Sequence, residues 1–203
     1  MANGPPLLSP DEVHDGCAVF GIYGHREAAN LAYLGLYALQ HRGQEASGIV
    51  SNDGEQFYVE KGQGLVADIF SQQALARLPG TMAIGHNRYS TAGGAGLKNV
   101  QPLSVNFAFG NLAVAHNGNL INATMLRSEL EAYGAIFQST SDTEVIIHLI
   151  AHSRADTLLD RVIDSLTQVR GAFSVVLMTD QGIVAARDPH GFRPLCLGRF
   201  RDA

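Results

Sequence analysis

The hydrophobic period of this chain changes several times along its length. CAVFGIYG (17–24) is a short apolar run and predicts a strand. EAANLAYLGLYALQHRG (27–43) places Leu31, Leu34, Ala38 and Leu39 at helical spacing, with Gly43 past the end. GIVSND (48–53) and EQFYVEKGQG (55–64) predict a hairpin turning at Asn52-Asp53-Gly54. MAIGHNRYS (82–90) is a strand running into the loop TAGGAGLKN, and NFAFGNLAVAHNGNL (106–120) holds two more strands. Asn122 is placed to cap the helix ATMLRSELEAY, which Gly134 ends. Ser141 and Glu144 have capping-box spacing ahead of DTEVIIHLIAHS. TLLDRVIDSLTQV (157–169) sets Leu158, Leu159, Val162, Ile163, Leu166 and Val169 on one helical face, and Gly171 stops it. AFSVVLMTDQGIVAARD predicts a hairpin turning near Asp180-Gln181-Gly182, and PLCLGRF (194–200) a last strand.

Few strands in this order are joined by a single helix. That argues against a parallel doubly wound sheet and for antiparallel sheets covered by helices, in an α/β/β/α layering. No internal repeat or interior linker divides the chain.

Composition narrows the function classes. With 46% hydrophobic and 16% charged residues among 203, the chain reads as globular. A net charge of −5 with no basic stripe speaks against nucleic acid as a partner. No apolar run reaches the ~18 residues of a membrane helix. The leader MANGPPLLSPDEVHDG (1–16) lacks the basic and apolar regions of a secretory signal and reads as a flexible extension. Two cysteines, Cys17 and Cys196, make no disulfide scaffold, and the expected setting is cytoplasmic.

Five stretches carry polar groups that propensity does not ask for. They are Cys17, QHRGQEASGI (40–49), GHNRYSTAGG (85–94), AHNGNL (115–120) and STSDTE (139–144). A lone cysteine in a strand is usually a small buried hydrophobe. Cys17, however, directly follows Gly16 at the end of the leader. Loss of residues 1–16 would make it N-terminal. Its α-amine would then titrate near neutrality, at about 7.7–8.0, and could take the proton of its own thiol. Asn117-Gly118, taken by itself, reads as a type I′ hairpin turn. Arg88 alone reads as a solvated charge, and Asp142 as a first-turn residue favoured by the helix dipole.

In this order and spacing, the five stretches resemble the class II glutamine amidotransferases. ALQHRGQEASGI and ARDPHGFRPLCLG are most similar to the amidophosphoribosyltransferase branch of that family, which opens purine synthesis. The resemblance covers nearly all of 17–200. It implies an α+β, four-layer αββα N-terminal-nucleophile hydrolase fold with two antiparallel sheets. It implies a glutaminase domain over 17–203, preceded by a leader or propeptide over 1–16.

Cys17 would be the nucleophile, with Asn117 and Gly118 forming the oxyanion hole. Arg88 would pair with the glutamine α-carboxylate, where a planar fork suits bidentate binding, and Asp142 with the α-ammonium. Thr91 and Gly93 would add contacts to the amino acid. Arg42 would pack under the site or close over it. His41, His86 and His116 would support through hydrogen bonds rather than act as bases.

The expected partners are glutamine and a phosphoribosyltransferase domain or chain, with a homo-oligomer at full length and neither nucleic acid nor membrane. No strand ending in paired acids before a hydroxyl-rich loop is found, so the phosphoribosyltransferase half is absent from this sequence. No cofactor is expected here; Mg2+ and an iron–sulfur cluster would belong to that other half. Cys196 is expected to be buried and inert. His148 and His152 have zinc-pair spacing, but a third ligand is missing, so one should pack and the other face water. Gly62-Gln63-Gly64 and the glycines of 93–96 make no phosphate loop, since no G-K-[ST] follows.

Three alternatives stay open on the residues. One is another amidotransferase of the family, such as a glucosamine-phosphate or glutamate synthase. A second is a glutamine-binding module without turnover. The third is a different N-terminal-nucleophile hydrolase acting on other amides.

Overall fold

A computed structural model describes residues 16–89 and 96–200. Two four-stranded antiparallel sheets stack face to face. The first has the order β1-β4-β2-β3, from β1 (Ala18–Tyr23), β2 (Ala46–Asn52), β3 (Phe57–Gln63) and β4 (Met82–Arg88). The second has the order β5-β6-β7-β8, from β5 (Leu103–Phe107), β6 (Gly110–Leu120), β7 (Gly171–Thr179) and β8 (Ile183–Arg187).

Val50, Met82 and Ile84 of the first sheet meet Ala113, Ala115, Val176 and Met178 of the second. Small alanines opposite larger side chains let the two sheets approach and interlock. Helix α1 (Ala28–Ala38) covers the outside of the first sheet. Helices α4 (Ala123–Ala132), α5 (Thr143–His152) and α6 (Leu158–Gln168) cover the second. The expected αββα layering is therefore observed.

Several local expectations need correction. α1 buries Ala28, Ala29, Ala32 and Leu36, whereas Leu34 is 55% exposed. Small residues hold this helix against the sheet: a Cβ on Gly35 would lie 2.4 Å from the Phe20 ring. α6 buries Val162 and Ser165, with Leu159 and Ile163 turned outward. Asn122 occupies the N-cap position of α4, as expected, but its side chain makes no capping hydrogen bond. Its amide donates to the Gln168 carbonyl and accepts from the Arg170 N–H, tying α4 to the end of α6.

The Ser141–Glu144 box does not form either. Asp142 is the cap residue of α5, and the Glu144 carboxylate instead accepts from the Gln138 and Ser139 amides and the Ser139 hydroxyl. Two short helices were not foreseen, α2 (Val66–Ile69) and α3 (Gln72–Ala76). PLCLGRF forms no strand, and Cys196 is exposed rather than buried. That segment lies beyond β8, and none of the described strands pairs with it.

Both other hairpins stand as expected. Asn52 Oδ1 accepts the Gly54 amide at 2.6 Å, closing the first turn. His148 packs on Phe137 with ring centroids 4.2 Å apart, and His152 is exposed.

Candidate active site

Cys17 sits immediately before β1, on the sheet edge beside β4, whose register pairs Ala18 with Asn87. Its Sγ lies 3.5 Å from both the carbonyl oxygen and the amide nitrogen of Tyr89. Burial pushes the thiol pKa up. The Tyr89 N–H and the positive charge of Arg88 pull it back, Asp142 adds to the rise, and Arg193 opposes it. The net shift is upward, so this thiol needs a base before it can attack.

The thiol opens on a cavity of about 380 Å³. Arg88, Gly118 and Asp142 line it together with Cys17, and residues 118–121 form one wall. Arg88 is the last residue of β4 and is 7% exposed, so it is not a solvated surface charge.

Asn117 and Gly118 lie inside β6, paired with Ser174 and Phe173 of β7, and not in a hairpin turn. Gly118 has φ +147, and a Cβ there would lie 2.1 Å from the Ala172 carbonyl oxygen. No other residue fits this crossing of β6 over β7. Asn117 is buried, and its Oδ1 has no hydrogen-bond partner among the described residues. That atom would lie 3.6 Å from a Cβ built on Gly16, so the side-chain amide faces the residue preceding the nucleophile. A half-turn about Cβ–Cγ presents Nδ2 there as a donor.

Asp142, at the head of α5, accepts the Leu120 amide through Oδ2 at 2.9 Å and faces His116 Nδ1 through Oδ1 at 3.6 Å. Burial raises its pKa, but His116 and the amides of Leu120 and Thr143 outweigh it, and the carboxyl is held below its usual range. His116 is fixed in turn, its amide donating to Gln101 Oε1 and its Nδ1 lying 3.2 Å from Thr143 Oγ1. His86 is fully buried against the His116 carbonyl, and burial pushes its pKa down to about 3, so it is neutral. His86 and His116 hold the scaffold, as expected, whereas His41 is exposed, with its Nδ1 3.2 Å from the Ala38 carbonyl oxygen.

Arg42 packs beside the nucleophile, its Nε donating to the Cys17 carbonyl at 3.3 Å. Thr91 and Gly93 lie outside the described residues. The sequence reading missed Tyr89, whose contribution is main-chain, and Arg193, whose motif served only as a family marker.

A family model described as a glutamine amidotransferase domain matches residues 86–203. The chain belongs to the glutamine amidotransferase family. Among its relatives, the amidophosphoribosyltransferase of Rhizobium etli is 54% identical over 95% of this chain and 39% of its own length. Amidophosphoribosyltransferase 2, chloroplastic, of Arabidopsis thaliana is 52% identical over 98% of this chain and 37% of its own.

The solved glutamine phosphoribosylpyrophosphate amidotransferase from B. subtilis, complexed with ADP and GMP, superposes with a TM-score of 0.86 at 49% identity. That match covers 91% of this chain and 40% of the other. This member of the glutamine amidotransferase family thus spans about two fifths of the length of the relatives it matches. Among the described residues no helix is long and apolar enough to cross a membrane, and no group of three or more His, Cys, Asp or Glu could hold a metal.

Proposed function

We propose that the chain is the glutamine-hydrolysing part of an amidophosphoribosyltransferase, working with Cys17 as an N-terminal residue after loss of residues 1–16. One observation carries the reading: Cys17, Arg88, Gly118 and Asp142, from four separate segments, converge on a single cavity.

Glutamine enters with its α-carboxylate toward Arg88 and its α-ammonium toward Asp142. The freed α-amine takes the thiol proton, and the thiolate forms a bond to the side-chain amide carbon. The resulting oxyanion accepts hydrogen bonds from Asn117 Nδ2 and the Gly118 amide. Collapse breaks the C–N bond, and the protonated amine returns its proton to the leaving nitrogen, giving ammonia. Water, deprotonated by the same amine, then attacks the thioester and releases glutamate. Arg42 holds the Cys17 carbonyl while this proceeds. Thr91 and Gly93 complete the grip on the amino acid.

The ammonia passes to a phosphoribosyltransferase half, where Mg2+ and any iron–sulfur cluster would be bound, in a homo-oligomeric cytoplasmic enzyme. The similarity of the relatives named above, amidophosphoribosyltransferases throughout, supports this branch over the glucosamine-phosphate and glutamate synthases.

The test is intact mass together with a glutaminase assay. Mature protein beginning at Cys17, active as wild type and inactive as Cys17→Ala, is the expected result. An active protein that retains residues 1–16 would overturn the mechanism.

A further inference from the structure

Glutamine recognition leaves one charged side chain beside the nucleophile without a task. Arg193 follows β8 in a loop built on Asp188. The buried Asp188 carboxylate accepts four main-chain N–H groups: His190 and Phe192 on Oδ1, Arg193 and Phe173 on Oδ2, at 3.0–3.3 Å. The loop is thereby pinned to β7, and its last residue is aimed at Gly16. A Cβ built on Gly16 would lie 3.1 Å from Arg193 Nη1 and 3.1 Å from Arg42 Nη2. Arg193 Nε is buried with no hydrogen-bond partner among the described residues. Neither arginine forms an ion pair within that set.

Two guanidinium groups, from near opposite ends of the chain, thus bracket the main chain just ahead of Cys17. The Gly16–Cys17 peptide bond that they flank is itself neutral. Their position has a consequence once a free amine stands there.

We propose that Arg193 and Arg42 keep the α-amino group of a matured Cys17 uncharged near neutral pH, so that it can serve as the base. This rests on the glutaminase reading above. An unperturbed α-amine, at about 7.7–8.0, is mostly protonated at pH 7. A cation ~6 Å away disfavours the ammonium by about half a pH unit in water-like surroundings, and by more where solvent is excluded.

The other groups facing Cys17 do not cancel this. Arg88 has the same sign. Asp142 has the opposite sign and offsets part of this, one carboxylate against the three guanidinium groups of Arg42, Arg88 and Arg193. Buried His86 is neutral. Tyr89 presents main-chain groups. Arg88 and Arg193 also favour the thiolate. Arg193 is therefore a positioning residue, acting through the amine rather than on glutamine.

The experiment is the pH dependence of glutaminase kcat/KM for mature protein, whose start at Cys17 is checked by mass. Wild type that keeps its leader or does not hydrolyse glutamine defeats the underlying reading. With active mature wild type, Arg193→Gln should raise the acid limb by about 0.5–1 pH unit. That appears as a roughly three- to tenfold loss at pH 6.5 that closes by pH 9. Arg193→Lys should restore the wild-type profile. An unmoved acid limb, or a loss uniform in pH, overturns the proposal. Arg42→Gln gives the same test from the other side, and must also raise the acid limb, should Arg193→Gln not fold.

Discussion

Asp142 Oδ2 accepts the Leu120 amide at 2.9 Å, joining the head of α5 to the end of the strand that carries Asn117 and Gly118. The carboxylate proposed to hold the glutamine ammonium is thus fixed to the same strand as the proposed oxyanion donors. Its second oxygen is turned by His116, 3.6 Å away. On that proposal, one residue ties the head-group site to the oxyanion site.

Asp142→Asn should weaken glutamine binding far more than it slows the chemical step. Loss of one partner of a desolvated charge pair costs about 2–3 kcal/mol, roughly a hundredfold. Glutaminase kinetics should show KM rising by about that factor with kcat changed less than tenfold. A fall in kcat with KM unchanged would count against the clamp.

Asn117→Ala removes a donor without touching the head group. Its loss should appear in kcat, by about 10²–10³, with KM nearly constant. Gly118→Ala is a different defect. The left-handed backbone and the contact with the Ala172 carbonyl oxygen leave no room for a methyl group. Destabilisation of about 2–3 kcal/mol should accompany its loss of activity, read by denaturant melts.

The site motifs were legible in the sequence because their residue types are chemically unusual where they fall. Cys17, Arg88 and Asp142 each have a bland reading alone, and only the ordered set of motifs singles them out; in the fold they line one cavity. Asn117-Gly118 was ambiguous, since a hairpin turn and an interior strand crossing both favour glycine. Only the partner strand β7 decides between them. Helix faces were misread for a related reason. Leu34, Leu159 and Ile163 satisfy a helical period, but α1 turns Ala32 and Leu36 inward against the first sheet, and α6 turns Val162 and Ser165 inward beside α5. Arg193 was illegible because its role depends on a loop folded around Asp188, a contact with no local pattern.

Acid should unfold this protein through identifiable carboxylates. Asp142, Glu144 and Asp188 are all held below the ordinary carboxylate range. In each, burial works upward and is outweighed by hydrogen bonds from main-chain amides, aided by His116 at Asp142 and by the Ser139 hydroxyl and His148 at Glu144. The unfolded chain then binds more protons than the folded one at mildly acidic pH. Their contribution is complete above the unfolded carboxylate pKa of about 4 and is lost as pH falls through the lowered folded values. Tm followed by circular dichroism should decline gently below about pH 6.5, where an unfolded His86 takes up a proton that the buried ring refuses, and fall steeply below about 4. Glu144→Gln should cost about 1–2 kcal/mol at pH 7, and much less at pH 3.5. A cost that does not change with pH would assign Glu144 a purely steric part.

Leu36 and Leu34 stand two residues apart on α1 and test which face of the helix holds the fold. Leu36 is fully buried and touches the first sheet where Gly85 leaves space, a Cβ there lying 2.8 Å from its Cδ1. Leu34 is 55% exposed. Leu36→Ala should destabilise by about 2–5 kcal/mol, since the rigid sheet beneath cannot collapse into the void. Leu34→Ala should stay within about 0.5 kcal/mol. Because α1 leads into the turn that carries Arg42, the Leu36 variant should also lose glutaminase activity below its melting temperature, when the Arg42 contact to the Cys17 carbonyl loosens. Equal costs at the two positions in urea melts would mean that α1 docks by its other face.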